Sequence, residues 1–122
     1  MKKRGFTADL AQQRVDKWLQ WLNLEHLAAE HPYSLSKTYR QWIALASILV
    51  REPELLLLDE PTYGMDTVAT KRFAAIITAL NAKGMTILMI THQKALAENC
   101  AHRIMEMDKG SLLNNANGEV KL

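Results

Sequence analysis

The chain has 122 residues, with 15 basic and 13 acidic side chains that leave a net charge of +2. A hydrophobic fraction of 48% and a charged fraction of 23% are typical of a folded globular chain and exclude intrinsic disorder. Because the net charge is so small, it does not indicate a nucleic-acid or anionic-membrane partner, and we expect no nucleic acid to be bound.

Cys100 is the single cysteine, which excludes an internal disulfide framework and a cysteine-based zinc site. We expect it to be buried or half-buried after a helix. Residues 2–4 are basic like the start of a signal peptide, but no apolar run follows them. The longest apolar stretch, residues 42–50, is about half the length needed to cross a bilayer, so we expect no transmembrane segment.

The first predicted element is a helix over residues 7–22, where apolar side chains recur at three- and four-residue spacing. Thr7 or Asp9 is available as its N-cap. Trp18 and Trp21 lie on the apolar stripe, and packing in the core is a better interpretation than stacking on a ligand. A short second helix is predicted over residues 24–29.

The next predicted helix covers residues 38–50 and has an unusual start. Ser36 is a good N-cap, but Lys37, Tyr39 and Arg40 place cations and a phenol where the helix dipole prefers anions. A basic first turn is favourable when an external phosphate sits on it. The alternative is a solvated basic turn without a ligand.

Four consecutive leucines at residues 55–58 predict a buried strand of a parallel sheet, covered on both faces. Pro61 ends the strand and leaves Asp59 and Glu60 at its carboxyl end, where open α/β sheets bind their ligands. An apolar strand that ends in two acids fits phosphoryl chemistry with Mg²⁺. The alternative is a pair of acids near a helix N-terminus, where acids are common for structural reasons.

A helix over residues 67–82 and an apolar strand over 85–90 complete a predicted right-handed βαβ unit. Because the carboxyl ends of parallel strands share one edge, this unit brings His92 toward Asp59 and Glu60. The remaining predictions are a turn at Gly64, a helix over 94–99, strands over 103–107 and 112–113, and a loose polar tail from residue 114.

These motifs, in this order and at these intervals, resemble the C-terminal part of an ABC transporter ATP-binding subunit over residues 12–113. The resemblance implies that residues 55–61 are the Walker B motif, with Asp59 binding Mg²⁺ through water and Glu60 polarising the attacking water. It also implies that His92 is the switch histidine that contacts the γ-phosphate.

The resemblance implies two further motifs that face a second ATPase subunit. Asp66 belongs to the D-loop, and the family signature has a degenerate form that would bind ATP in trans at Ser36, Lys37, Thr38, Tyr39 and Arg40. Thr38 stands where the family keeps glycine, so a side chain occupies a place where backbone approaches phosphate. Trp42 replaces the usual basic residue. We therefore expect weaker ATP binding on this face.

The phosphate loop Gly-x-x-x-x-Gly-Lys-Ser/Thr and the Q-loop glutamine of the family are absent from the sequence. We therefore expect an α/β fold that is a partial P-loop NTPase, with a small parallel sheet flanked by helices. Its expected parts are a helical subdomain at 1–51, the second half of the ATPase core at 52–113 and a loose tail at 114–122. The missing half of the sheet should leave apolar faces exposed and favour dimerisation or aggregation.

The amino-acid sequences at residues 31–36 and 59–66 resemble those of energy-coupling-factor and cobalt-type importers. These importers take up vitamins or metal ions. The resemblance implies a truncated ATPase subunit that uses ATP and Mg²⁺ only when the missing half is supplied, so the chain alone is expected to be inactive. Its implied partners are a second ATPase subunit, identical or different, and a transmembrane permease that holds it at the cytoplasmic face of the membrane.

Two other functions remain open. The chain could be a noncatalytic interaction module that pairs with a complete ABC ATPase or a membrane subunit. It could also derive from a soluble ABC-type ATPase of DNA repair or translation, although the sequence has no basic stripe to support this. His26, His31 and His102 lack metal-ligand spacing and are expected at the surface or in packing roles.

Overall fold

A computed structural model describes residues 7–113 of the chain. Its helices are α1 (Ala8–Trp21), α2 (Lys37–Leu49), α3 (Thr67–Ala82) and α4 (Lys94–Cys100), and its strands are β1 (Leu55–Asp59), β2 (Thr86–Ile90), β3 (Glu106–Asp108) and β4 (Ser111–Leu113). Two 3₁₀ turns, Glu25–Leu27 and Pro32–Ser34, lie between α1 and α2. The chain divides into two compact units after Leu56. The predicted subdomain boundary at residue 51 stays a prediction, and the predicted tail at 114–122 lies outside the described residues.

The first unit is built on α1 and α2, and both helices begin at the predicted caps. The Thr7 side chain accepts a hydrogen bond from the Leu10 N–H at 3.4 Å, and the Ser36 hydroxyl accepts one from the Tyr39 N–H at 3.3 Å. The apolar faces of the helices meet in a small core that contains Trp18, Leu22, Leu24, Leu27, Trp42, Leu45, Ala46 and Leu49. Trp42 is 2% exposed, so this residue serves the core rather than a phosphate.

Glu52 joins α1 to the segment that follows α2. Its carboxylate lies 3.1 Å from the Arg14 guanidinium and 3.0 Å from the Lys17 ammonium. The hydrogen bond from Lys17 is the main cause that lowers the pKa of the Glu52 carboxyl. Glu52 itself has a left-handed backbone, with φ of 49°. The ion pairs with Arg14 and Lys17 therefore stabilise a left-handed backbone conformation at Glu52, which is unfavourable for a residue other than glycine.

The second unit begins at Leu57, within β1, and contains the rest of that strand, β2 and the helices α3 and α4. The Glu60 N–H donates to the Ile90 carbonyl at 2.9 Å, which brings the carboxyl ends of β1 and β2 side by side, as in a parallel pair. Helix α3 packs on β2 and on α4, and its buried side chains Phe73, Ile77 and Leu80 recur at three- and four-residue spacing. The predicted small parallel sheet flanked by helices is confirmed.

The predicted coverage of the leucine strand on both faces is wrong within the described residues. Leu56 is 2% exposed, but Leu55 and Leu57 are exposed, and so are Leu88 and Ile90 on β2. The burial alternates along each strand, so side chains on one face pack inward while those on the other contact solvent. A run of leucines shows that a strand can be buried on both faces, but not which other residues cover it.

Strands β3 and β4 form an antiparallel hairpin in which Met107 pairs with Leu112. The turn between them has left-handed backbone at Lys109 and Gly110. The predicted strand over 103–107 is therefore shorter and begins three residues later than expected. Over residues 7–113, none of the helices has both the length and the apolar character needed to span a membrane.

Candidate functional site

The candidate site begins where β1 ends. Glu60 has a left-handed backbone with φ of 43°, a conformation that a residue with a side chain rarely adopts. Its N–H is held by the Ile90 carbonyl at 2.9 Å, and its carbonyl accepts from the Tyr63 N–H at 3.1 Å. These bonds turn the chain sharply after Asp59 and direct the Glu60 side chain toward the residues that follow β2.

The Glu60 carboxylate is held by the two residues that follow β2. Its Oε1 atom accepts the His92 backbone N–H at 2.8 Å and lies 2.9 Å from the His92 Nδ1 atom. The Thr91 hydroxyl donates to Oε2 at 3.4 Å. The predicted proximity of Glu60 and His92 is therefore found, because the parallel pairing places both strand ends at one edge.

These contacts stabilise the charged form of Glu60. The hydrogen bond from the His92 side chain is the largest of the causes that lower the pKa of the Glu60 carboxyl. Glu60 is consequently ionised at neutral pH and is suited to accept a hydrogen bond from a water molecule. The His92 imidazole remains largely exposed, with its Nε2 atom available to an incoming group.

Thr91 is a site residue for which the sequence predicted no role. Its hydroxyl donates to Glu60 and also accepts the Gln93 N–H at 3.1 Å, so it ties the carboxylate to the start of α4. The available signal was a polar residue immediately after an apolar strand, beside His92. Neighbouring strand ends in a parallel sheet bring such residues together.

The Asp59 side chain is exposed, and this carboxylate makes no hydrogen bond or ion pair within residues 7–113. No group of three or more metal-ligating side chains occurs in the described part of the chain. Mg²⁺ keeps several waters and uses one or two carboxylates together with substrate phosphates. A single unengaged carboxylate at a strand end therefore fits a magnesium ion that a nucleotide brings with it.

The turn after Glu60 contains a buried side chain and a helix cap. The Thr62 hydroxyl is fully buried and pairs with no group among the described residues. Gly64 adopts the predicted positive φ, at 80°. The Asp66 side chain accepts the Ala69 N–H at 2.7 Å and caps α3, so this predicted D-loop residue has a structural role of its own.

The predicted signature residues lie at the start of α2, in the first compact unit. The Ser36 hydroxyl caps the helix, and the Arg40 guanidinium donates to the Leu35 carbonyl at 2.9 Å. Tyr39 lies edge-on to His26, with ring centroids 5.9 Å apart. Lys37 is exposed and Thr38 is half-buried. Ser36, Tyr39 and Arg40, which were predicted to contact phosphate, thus make contacts within the chain itself.

The family described as ABC transporter matches residues 3–63, which are 61 of the 122 residues. The chain is 39% identical over 111 residues to an ABC transporter ATP-binding protein of Caldanaerobacter subterraneus subsp. tengcongensis, with 91% of the chain and 20% of that protein covered. It is 38% identical over 113 residues to the lipoprotein-releasing system ATP-binding protein LolD of Aquifex aeolicus, with 93% of the chain and 50% of LolD covered.

Among solved structures, the chain is similar to cbiO1 of Clostridium perfringens, which is part of the ABC transporter complex cbiONQ. The TM-score is 0.80 at 28% identity, and the match covers 92% of the chain and 45% of cbiO1. The chain therefore spans between a fifth and a half of the length of these proteins.

Proposed function

The chain belongs to the ABC transporter family, and on this premise we propose that it is the C-terminal part of the ATP-binding subunit of an ABC-type importer. In that subunit it would couple ATP hydrolysis to the uptake of a vitamin or a metal ion. The observation that carries the proposal is the contact between Glu60 and His92 at the carboxyl ends of neighbouring strands. The similarity to cbiO1, part of an ABC transporter complex, supports the assignment to a transporter subunit.

ATP and Mg²⁺, when bound, supply the phosphoryl bond to be broken and the cation that offsets its negative charge. Asp59 would hold the cation through water. Glu60 would orient the attacking water or act as its base, a role that depends first on the geometry that holds its carboxylate beside His92. His92, anchored to Glu60 through Nδ1, would present Nε2 to the γ-phosphate.

The rest of the nucleotide site must come from residues outside this sequence. The 122 residues contain no Gly-x-x-x-x-Gly-Lys-Ser/Thr, the motif whose backbone N–H groups and lysine bind the phosphates. Acids and an imidazole at a strand edge cannot replace such a cradle, since the acids repel phosphate. We therefore expect the chain alone to be inactive.

The proposed partners follow from the family. A second ATPase subunit would contact Asp66 and the signature residues Ser36–Arg40, and a transmembrane permease would hold the complex at the cytoplasmic face of the membrane. Thr38 in place of glycine would weaken ATP binding in trans, because its side chain stands between backbone and phosphate.

A fusion experiment tests the proposal. The part of Aquifex aeolicus LolD that precedes its similarity to this chain is joined to the full chain, and magnesium-dependent ATP hydrolysis is measured. We expect turnover in the fusion, none in the chain alone, and loss of turnover in the Glu60→Gln fusion. Glu98→Gln, an exposed carboxylate on α4, is the matched control and should retain activity.

Two results would contradict the proposal. Hydrolysis by the chain alone that Glu60→Gln abolishes would show that it carries a complete site. A folded fusion that binds a complete ABC ATPase or a permease, yet never hydrolyses ATP, would instead support the noncatalytic interaction module.

A further inference from the structure

The two oxygens of the Glu60 carboxylate are held to different degrees. Oε1 accepts the His92 backbone N–H at 2.8 Å and lies 2.9 Å from Nδ1 of the same residue. Oε2 has one partner within residues 7–113, the Thr91 hydroxyl at 3.4 Å. Each carboxylate oxygen has two lone pairs, so His92 occupies those of Oε1 whereas Oε2 keeps one. Oε2 is therefore the oxygen that can accept a hydrogen bond from a water molecule.

The Glu60 side chain needs two points of attachment to keep one orientation. The torsion about its terminal bond is broad and roughly two-fold, because that bond joins a tetrahedral carbon to a planar carboxylate. Contacts at Oε1 alone place that atom but leave the carboxylate plane free to turn about it. The Thr91 hydroxyl at Oε2 supplies the second point. Since the Glu60 side chain is 30% exposed, packing does not enclose it and hydrogen bonds must fix its plane.

The Thr91 hydroxyl is itself directed by the backbone. Its oxygen accepts the Gln93 N–H at 3.1 Å, which occupies one of its lone pairs. Threonine carries two heavy atoms on Cβ and is stiff about χ1, so this bond leaves the hydroxyl little freedom. The hydroxyl has a single proton to donate, and Glu60 Oε2 is its acceptor. The donor is thus in place before any nucleotide binds.

The parallel pairing of β1 and β2 explains why Thr91 can act on Glu60. Thr91 directly follows β2, and Glu60 directly follows β1. The hydrogen bond of 2.9 Å from the Glu60 N–H to the Ile90 carbonyl holds these two positions side by side. The hydroxyl therefore reaches the carboxylate from a neighbouring strand end rather than from the turn that carries Glu60.

We propose that Thr91 is a positioning residue for ATP hydrolysis, whose hydroxyl fixes the plane of the Glu60 carboxylate so that Oε2 faces the attacking water. The inference rests on the proposed function and adds the residue that orients its carboxylate. Thr91→Val keeps the branched shape and removes the donor, whereas Thr91→Ser keeps the donor and removes a methyl group. A hydroxyl that acts through Glu60 affects the chemical step and leaves ATP binding unchanged.

The first measurement is turnover in the fusion of the preceding part of Aquifex aeolicus LolD with the full chain. We expect Thr91→Val to lower kcat about tenfold or more with a nearly unchanged KM for ATP, because a small misplacement of a catalytic group slows the chemical step steeply. Thr91→Ser should restore most of kcat. Thr78→Val removes an exposed hydroxyl on α3 that donates to the Ala74 carbonyl at 3.0 Å, and this matched control should hydrolyse ATP like the parent fusion.

The second measurement is the mobility of the Glu60 side chain in the full chain without nucleotide. Deuterium relaxation of the Glu60 methylene groups should show greater mobility in Thr91→Val than in the parent chain. Thr91→Ser and Thr78→Val should resemble the parent chain. Circular dichroism of each variant shows that the fold is intact.

The outcomes separate the positioning role from the proposed function. An active parent fusion that Thr91→Val leaves unchanged, or that Thr91→Val and Thr91→Ser slow equally, would overturn the positioning role and leave the proposed function intact. Unchanged Glu60 mobility in Thr91→Val would also overturn the positioning role. A parent fusion without ATP hydrolysis would refute the proposed function and the role of Thr91 in it, even if the Glu60 side chain became more mobile in Thr91→Val.

Discussion

The contact between Glu60 and His92 can be measured in the chain itself, without nucleotide. Because His92 donates to the Glu60 carboxylate, the folded pKa of Glu60 lies below its ordinary value. His92→Ala removes the imidazole contact and should move the pKa of Glu60 upward, which carbon-detected NMR titration of the carboxyl measures. His102→Ala, an exposed histidine, should leave it unchanged. An unaltered Glu60 titration in His92→Ala would show that the side-chain contact is absent in solution.

The Glu52 carboxylate forms ion pairs with Arg14 and Lys17. Its pKa is lowered on folding, so its contribution to stability is present above the ordinary glutamate pKa and is lost as pH falls through the lower folded value. Glu52→Gln should reduce the free energy of unfolding at pH 7 by about 0.5–1 kcal/mol, since the pair is partly exposed. Urea denaturation at pH 7 and at pH 3 measures the difference, which should be smaller at the lower pH.

Glu54→Gln provides the control for Glu52, because Glu54 is an exposed carboxylate two residues away. It should leave the unfolding free energy nearly unchanged at both pH values. Equal destabilisation by the two substitutions would mean that the Glu52 ion pairs do not persist in solution.

At the scale of elements, Asp66 holds the start of α3. Its carboxylate accepts the Ala69 N–H at 2.7 Å, one of the helix donors that lack an intrahelical partner. Asp66→Ala should lower the free energy of unfolding by about 1 kcal/mol. Asp66→Asn should retain most of the stability that the cap contributes, because asparagine also caps helices. Urea denaturation measures both. If Asp66→Ala were as stable as the parent chain, the observed cap would not contribute to folding.

The elements that could be predicted from sequence are those whose signals are local. Helix α3 has the predicted bounds because Asp66 caps it and Gly84 follows its end, and the end of β1 is set by Pro61. The segment over 24–29 forms a 3₁₀ turn at Glu25–Leu27 instead of an α-helix. Its few residues offer too few α-helical hydrogen bonds to offset nucleation.

In the site too, some features could be predicted from the sequence and others could not. The proximity of Glu60 and His92 could be predicted because two strand ends in a parallel sheet define it. The left-handed backbone of Glu60 and the hydrogen bond from Thr91 could not be predicted, because they depend on the detailed geometry of the turn after β1. The exposure of Leu57 depends on residues beyond the strand, which the leucine run does not reveal.

At the scale of the whole molecule, the uncovered apolar face should make the isolated chain prone to aggregate and to bind hydrophobic dyes. Leu57, Leu88 and Ile90 offer a hydrophobic dye a surface that a completed sheet would hide. Leu57→Gln/Leu88→Gln should lower dye fluorescence and slow aggregation without lowering the melting temperature, because both side chains already contact water in the folded chain. Fluorescence titration, light scattering and thermal denaturation measure the three quantities.

Leu56→Ala is the informative contrast, since Leu56 is 2% exposed on the same strand. Its loss should cost about 2–5 kcal/mol of unfolding free energy through the cavity it leaves, and should raise dye binding. Opposite effects from neighbouring leucines would show that β1 has one packed face and one open face in solution. If Leu57→Gln/Leu88→Gln instead lowered the melting temperature as Leu56→Ala does, the open face would be buried in solution and would not be available to a partner.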